Sequence, residues 1–100
     1  MPGASVGIQF LSAEAGGRSS PIQLGVTYRP HFRVAGNEYL GVVFVEGPSE
    51  PVLPGKTVSA KVQFIYAPQV NYSALKVGAE FQVLEGSQVV GVGEVMELLQ

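Results

Sequence analysis

The chain has no cysteine, no tryptophan and no aspartate, and one histidine, His31. Without cysteine there is neither a disulfide framework nor a thiolate metal site, which suits a reducing compartment, and the expected location is the cytoplasm. A lone histidine gives no HxH or HExxH pair, whereas a zinc centre needs three or four protein ligands. Six Lys and Arg stand against eight Glu, for a net charge of −2. A dedicated nucleic-acid binder usually carries a strong positive excess, and this chain carries none. No apolar run approaches the roughly 18 residues of a membrane span. Nor does the start of the chain combine a basic segment with an apolar one, as a secretory leader does. No membrane association and no cofactor are expected.

What is present reads as strands. Short alternating runs of Val, Phe, Tyr and Ile are separated by Gly and Pro clusters. In Ser5 to Ser12, the residues Val6, Ile8 and Phe10 share a face. In Tyr28 to Val34, the residues Tyr28, Phe32 and Val34 face one way and Arg29, His31 and Arg33 the other. Leu40, Val42 and Phe44 line up within Glu38 to Val45. From Lys56 to Tyr66 the alternation is clearest, with Val58, Ala60, Val62, Phe64 and Tyr66 on one side. Val77, Ala79, Phe81 and Val83 form a face in Val77 to Leu84. Ser87 to Leu98 is a long last strand in which Gly91 and Gly93 suit a barrel corner or a close crossing.

The connections follow the same logic. Ala13 to Val26 is expected to be an ordered surface loop. Ala35-Gly36-Asn37 is short enough for a hairpin. Glu46 to Gly55 holds Pro48, Pro51 and Pro54 and cannot be a central strand, while Pro54-Gly55 fits the centre of a type II turn. Glu85-Gly86-Ser87 closes the last hairpin, and Ala67 to Lys76 is irregular. One hundred residues make one domain. Six strands at this spacing predict an all-β, six-stranded antiparallel barrel of Greek-key type.

Four motifs carry a resemblance. They are Gly16-Gly17-Arg18, Tyr28-Arg29-Pro30-His31-Phe32, Leu53-Pro54-Gly55 and the hairpin Leu84-Glu85-Gly86-Ser87-Gln88-Val89-Val90-Gly91-Val92-Gly93. In that order and spacing the chain resembles the C-terminal β-barrel, domain III, of translation elongation factor Tu. The resemblance spans about residues 5–99 of a single domain, 1–100, and includes no GTPase domain. It implies a barrel that meets the T-stem of aminoacyl-tRNA, the GTPase domain and the exchange factor. The family's strand glutamine is His31 here. Its two hairpin arginines are Leu84 and Gln88, and only Glu85 and Gly86 match. Phosphate neutralisation supplies most sequence-independent affinity for nucleic acid, so losing two cations weakens the case for tRNA.

The candidate partner surface is therefore Arg18, Arg29, His31, Arg33, Glu85 and Gly86. Arg29, His31 and Arg33 lie at i, i+2 and i+4, spaced by about 6.6 Å along a strand, near the phosphate spacing of a nucleic-acid chain. They suit an acidic protein patch equally, and an ordinary solvated face is the plain alternative. A Ser-His-acid triad would have to draw on Ser19 or Ser20 with His31, and no Gly-x-Ser-x-Gly elbow is present. Gly86, Gly91 and Gly93 lack the spacing of a phosphate loop, so no nucleotide is expected. Glu94 and Glu97, three apart on a strand, are expected on opposite faces. Tyr39 and Tyr72 are either base-stacking or packing aromatics. The reading is a non-catalytic barrel that binds a protein partner, in a translation context. Weak RNA or tRNA binding through the Arg29 to Arg33 face is the alternative, and an enzyme is the remote one.

Overall fold

The computed structural model describes residues 2–100. Its six strands are β1 (Gly3–Phe10), β2 (His31–Arg33), β3 (Leu40–Glu46), β4 (Thr57–Phe64), β5 (Glu80–Glu85) and β6 (Gln88–Leu99). They close into one barrel in the order β1-β4-β3-β2-β5-β6, every neighbour antiparallel. Strands β2, β3 and β4 form a meander, and β1 returns beside β4, which is Greek-key connectivity. Closure leaves no long free edge to be protected.

The alternating apolar sets point inward as period two requires. Val6, Ile8 and Phe10 on β1, Val42 and Phe44 on β3, Val62 and Phe64 on β4, and Phe81 and Val83 on β5 are all buried. Phe32 and Phe81 stack at 4.0 Å between ring centroids, and Phe44 meets Phe32 edge-on. Gly93 is needed where β6 crosses this core. A Cβ there would sit 2.6 Å from both the Gly7 carbonyl oxygen and the Phe81 ring.

Loops supply the rest of the core, which alternation does not foresee. The β1–β2 connection is more than a surface loop. Ile22 pairs with Val52 in an isolated bridge, and Ile22, Leu24 and Val52 are buried. The segment between β4 and β5 contributes Tyr72 and Leu75. Antiparallel alternation places these two contributions at opposite ends of the barrel.

Several strand limits differ from expectation. The run Tyr28 to Val34 pairs only over His31–Arg33, because Pro30 has no N–H to donate and Tyr28 closes a turn on the Gly25 carbonyl. The Pro30 carbonyl still accepts from Val42. Val77 is exposed rather than inward, since Gly78 turns at φ 86° and β5 starts only at Glu80. Tyr66 lies past the end of β4 and is exposed as well. Glu94 and Glu97 share the outer face instead of opposing one another. The register shifts between Ser5 and Val6, so Glu97 faces Ser5 and Glu94 faces Gly7. Met96 is the extra residue of that bulge, and one inserted residue reverses the parity of everything beyond it.

The turns follow their chemistry. Pro54-Gly55 is a type II turn, with Gly55 at φ 90° and Lys56 donating to the Leu53 carbonyl. Ala35 and Gly36 both have positive φ, 46° and 80°, and Asn37 donates to the Val34 carbonyl, which is the type I′ pattern.

Candidate functional site

The β1–β2 loop returns across the β5–β6 hairpin and brings Arg18 to Glu85. Ser12 caps the short 3₁₀ turn Ala13–Ala15 by accepting from the Ala15 N–H. Gly16 follows at φ 92°, a conformation glycine adopts without a Cβ clash. Gln88 then ties the loop down by donating to the Gly16 and Gly17 carbonyls at 3.2 and 3.3 Å. Arg18 Nη1 meets Glu85 Oε2 at 2.9 Å, and its Nη2 donates to Ser20 Oγ and the Pro21 carbonyl. The Tyr28 hydroxyl donates to the same Glu85 Oε2 at 2.6 Å. Burial, reinforced by the Glu85 carboxylate, pushes the Tyr28 hydroxyl well above the usual tyrosine range, so it stays protonated. Gly86, at φ 62°, turns the hairpin directly behind Glu85.

A second cluster lies on the outer face of β2. Phe32 points inward, which turns His31 and Arg33 outward. The Arg33 guanidinium lies 5.2 Å from the centre of the Tyr39 ring and donates to Gln82 Oε1 through both Nε and Nη2. The His31 ring is tilted against the same Tyr39 at 5.8 Å. Tyr39 is 41% exposed. The result is one aromatic ring flanked by an arginine and a histidine, held by packing before any partner arrives.

The six proposed surface residues therefore do not form one stripe. Arg29 lies in the turn before β2, is exposed, and donates from Nε to the Val26 carbonyl at 3.1 Å. Arg18, Glu85 and Gly86 form the hairpin cluster, and His31 and Arg33 form the tyrosine cluster. Of the two candidate stacking aromatics, Tyr72 is buried. It stacks on Phe64 at 4.6 Å, donates to the Gly41 carbonyl at 2.6 Å and accepts from the Tyr66 N–H. Tyr39 alone is in reach of a partner.

Tyr28, Gln82 and Gln88 complete these clusters but were not among the proposed site residues. Nothing local marks them, because Tyr28 meets Glu85 across 57 residues and Arg33 meets Gln82 across 49. Ser20 bonds to Arg18 and not to His31. Among the described residues, no three histidine or acidic side chains converge as a metal site. No helix is long and apolar enough to cross a membrane. No protein-family model matches the chain.

Proposed function

We propose that this barrel is a non-catalytic module that binds a protein partner through the His31–Tyr39–Arg33 face, with Arg29 at its edge. The observation that carries the reading is Tyr39 held between His31 and Arg33, half-exposed and already ordered. Tyrosine and arginine are the residues that most often anchor protein interfaces. Ordering them in the free protein lowers the entropy cost of association. Arg18 is committed to Glu85, which removes one cation from any phosphate-binding inventory.

The resemblance to the elongation factor barrel supports a translation context, and the absence of cysteine suits the cytoplasm. One feature favours the second reading, weak RNA binding: Tyr39 presents a ring that a base can stack on, with the Arg33 guanidinium beside it. Two experiments separate the readings. Arg29→Glu with Arg33→Glu should weaken capture of a protein partner and slow association, most at low salt. In a gel-shift titration, tRNA should bind only at the non-specific level of roughly 10⁻⁴ to 10⁻⁶ M. Submicromolar, tRNA-selective binding at physiological salt would replace protein by RNA as the partner.

A further inference from the structure

On the outer surface of β5, β6 and β1 lies an open groove of about 990 Å³ that shares Arg33 and Gln82 with the tyrosine cluster. Strand register places two rows of outward side chains across it. One row runs Arg33, Gln82, Val92, Gln9 and Thr57. The next runs Glu80, Glu94 and Gly7. Gly7 makes the trough, since a Cβ there would meet nothing within 4 Å. Ile8, Phe81 and Gly93, from the neighbouring positions of the same strands, also line it. Val92 and Met96 stand at its sides, 41% and 60% exposed.

Glu80 and Glu94 are direct cross-strand partners, both exposed. Like charges placed directly opposite on a sheet destabilise it. Among the described residues neither makes an ion pair, and the two ion pairs formed are Arg18–Glu85 and Lys61–Glu46. Glu97 faces outward one row further on. The groove thus combines exposed apolar side chains, a side-chain-free trough and an uncompensated acidic end.

We infer that this groove docks an extended segment of a partner protein that carries Lys or Arg opposite Glu80 and Glu94 and apolar side chains over Gly7. Charge complementarity selects a basic segment and rejects an acidic one. Arg33 at the far rim requires an uncharged or acidic position there. A cation bound between Glu80 and Glu94 relieves their repulsion, so the carboxylates cost stability in the free barrel and return it on binding. This adds a second surface to the protein-binding reading. It does not need Arg29, which lies outside the groove.

The probe is a blocked peptide of about nine residues with Ser at every second position and, on the face between them, Lys at one end followed by Leu or Val, compared with the same peptide carrying Glu in place of Lys. Each is titrated into isotope-labelled protein while backbone amide shifts are followed. The Lys peptide should saturate shifts at Gly7, Gln82, Val92 and Glu94 with a dissociation constant below about 1 mM, and the Glu peptide should not. Glu80→Gln with Glu94→Gln should weaken the Lys peptide roughly threefold to tenfold while raising the melting temperature. Gly7→Leu should fill the trough and abolish binding with the fold intact. If Gly7→Leu fails to fold, the Glu variant decides. Arg29→Glu should leave peptide binding unchanged even where it abolishes the tyrosine-face interaction. Equal binding of both peptides, no shifts from the Lys peptide, or unchanged affinity in the Glu variant would overturn the inference. Self-association of the free protein, blocked by Gly7→Leu, would overturn it in favour of a second copy.

Discussion

The Tyr28 hydroxyl donates a hydrogen bond to Glu85 across 2.6 Å, to the carboxylate oxygen that also receives Arg18. One acceptor thus joins the β1–β2 loop, the approach to β2 and the last hairpin. Its position under the loop makes the Arg18–Glu85 pair structural, and half-burial shields it from solvent more than an exposed pair.

The first prediction concerns pH. Burial and Glu85 raise the Tyr28 hydroxyl well above its unfolded value near 10. The folded state therefore holds a proton that the unfolded state releases. This stabilisation is complete below about pH 10 and declines as pH rises past it. Tyr72 is raised by burial too and adds to the same slope. In urea melts between about pH 8 and pH 11.5, Tyr28→Phe should show a shallower alkaline loss than the parent. At neutral pH it should cost about 1–2 kcal/mol, for one hydrogen bond to a charged acceptor. An unchanged alkaline slope would place the Tyr28 hydroxyl in water.

A second prediction tests the core. Phe64 is buried and stacked on Tyr72, with the two rings within 6° of parallel. Phe64→Ala should cost about 3–5 kcal/mol in denaturant unfolding. Gln63→Ala, one residue away on the outer side, should cost less than about 0.5 kcal/mol.

Ala35 offers a gain. It holds φ 46° at the first centre of the type I′ turn, where asparagine and glycine are favoured. Ala35→Asn should raise stability by about 0.5–1 kcal/mol, read as a higher melting temperature. No gain would mean the turn already relaxes elsewhere in the hairpin.

The hairpin positions at which the resemblance sets arginines behave differently from one another. Leu84 is fully buried, so Leu84→Arg would bury an unpaired charge and should destabilise the barrel by more than about 3 kcal/mol. Gln88 is exposed and already donates to the Gly16 and Gly17 carbonyls, a role arginine can fill. Gln88→Arg should fold normally and steepen the salt dependence of any tRNA binding by about one contact. Equal stability of the two variants by thermal melting would contradict the burial of Leu84.

Strands, turns and inward faces were legible because each depends on neighbours along the chain. Val58, Ala60, Val62 and Phe64 alternate, and alternation with the pleat determines which side is apolar whatever the fold. Pro54-Gly55 and Ala35-Gly36 specify turns through their own φ preferences. The barrel order β1-β4-β3-β2-β5-β6 has no such local signature, though six short strands between turn signals limit the choices. Tertiary structure alone decided the rest. Pro30 cut β2 to three residues, and the bulge at Met96 moved Glu97 to the outer face beside Glu94. Ile22, Leu24, Tyr72 and Leu75 entered the core from loops, where no periodicity marks burial. The site divided for the same reason. Arg18, Arg29, His31 and Arg33 are close in sequence. Glu85 engages Arg18, Gln82 and Tyr39 engage Arg33, and Tyr39 packs on His31, all brought there by loop return and strand pairing, while Arg29 bonds only to the nearby Val26 carbonyl.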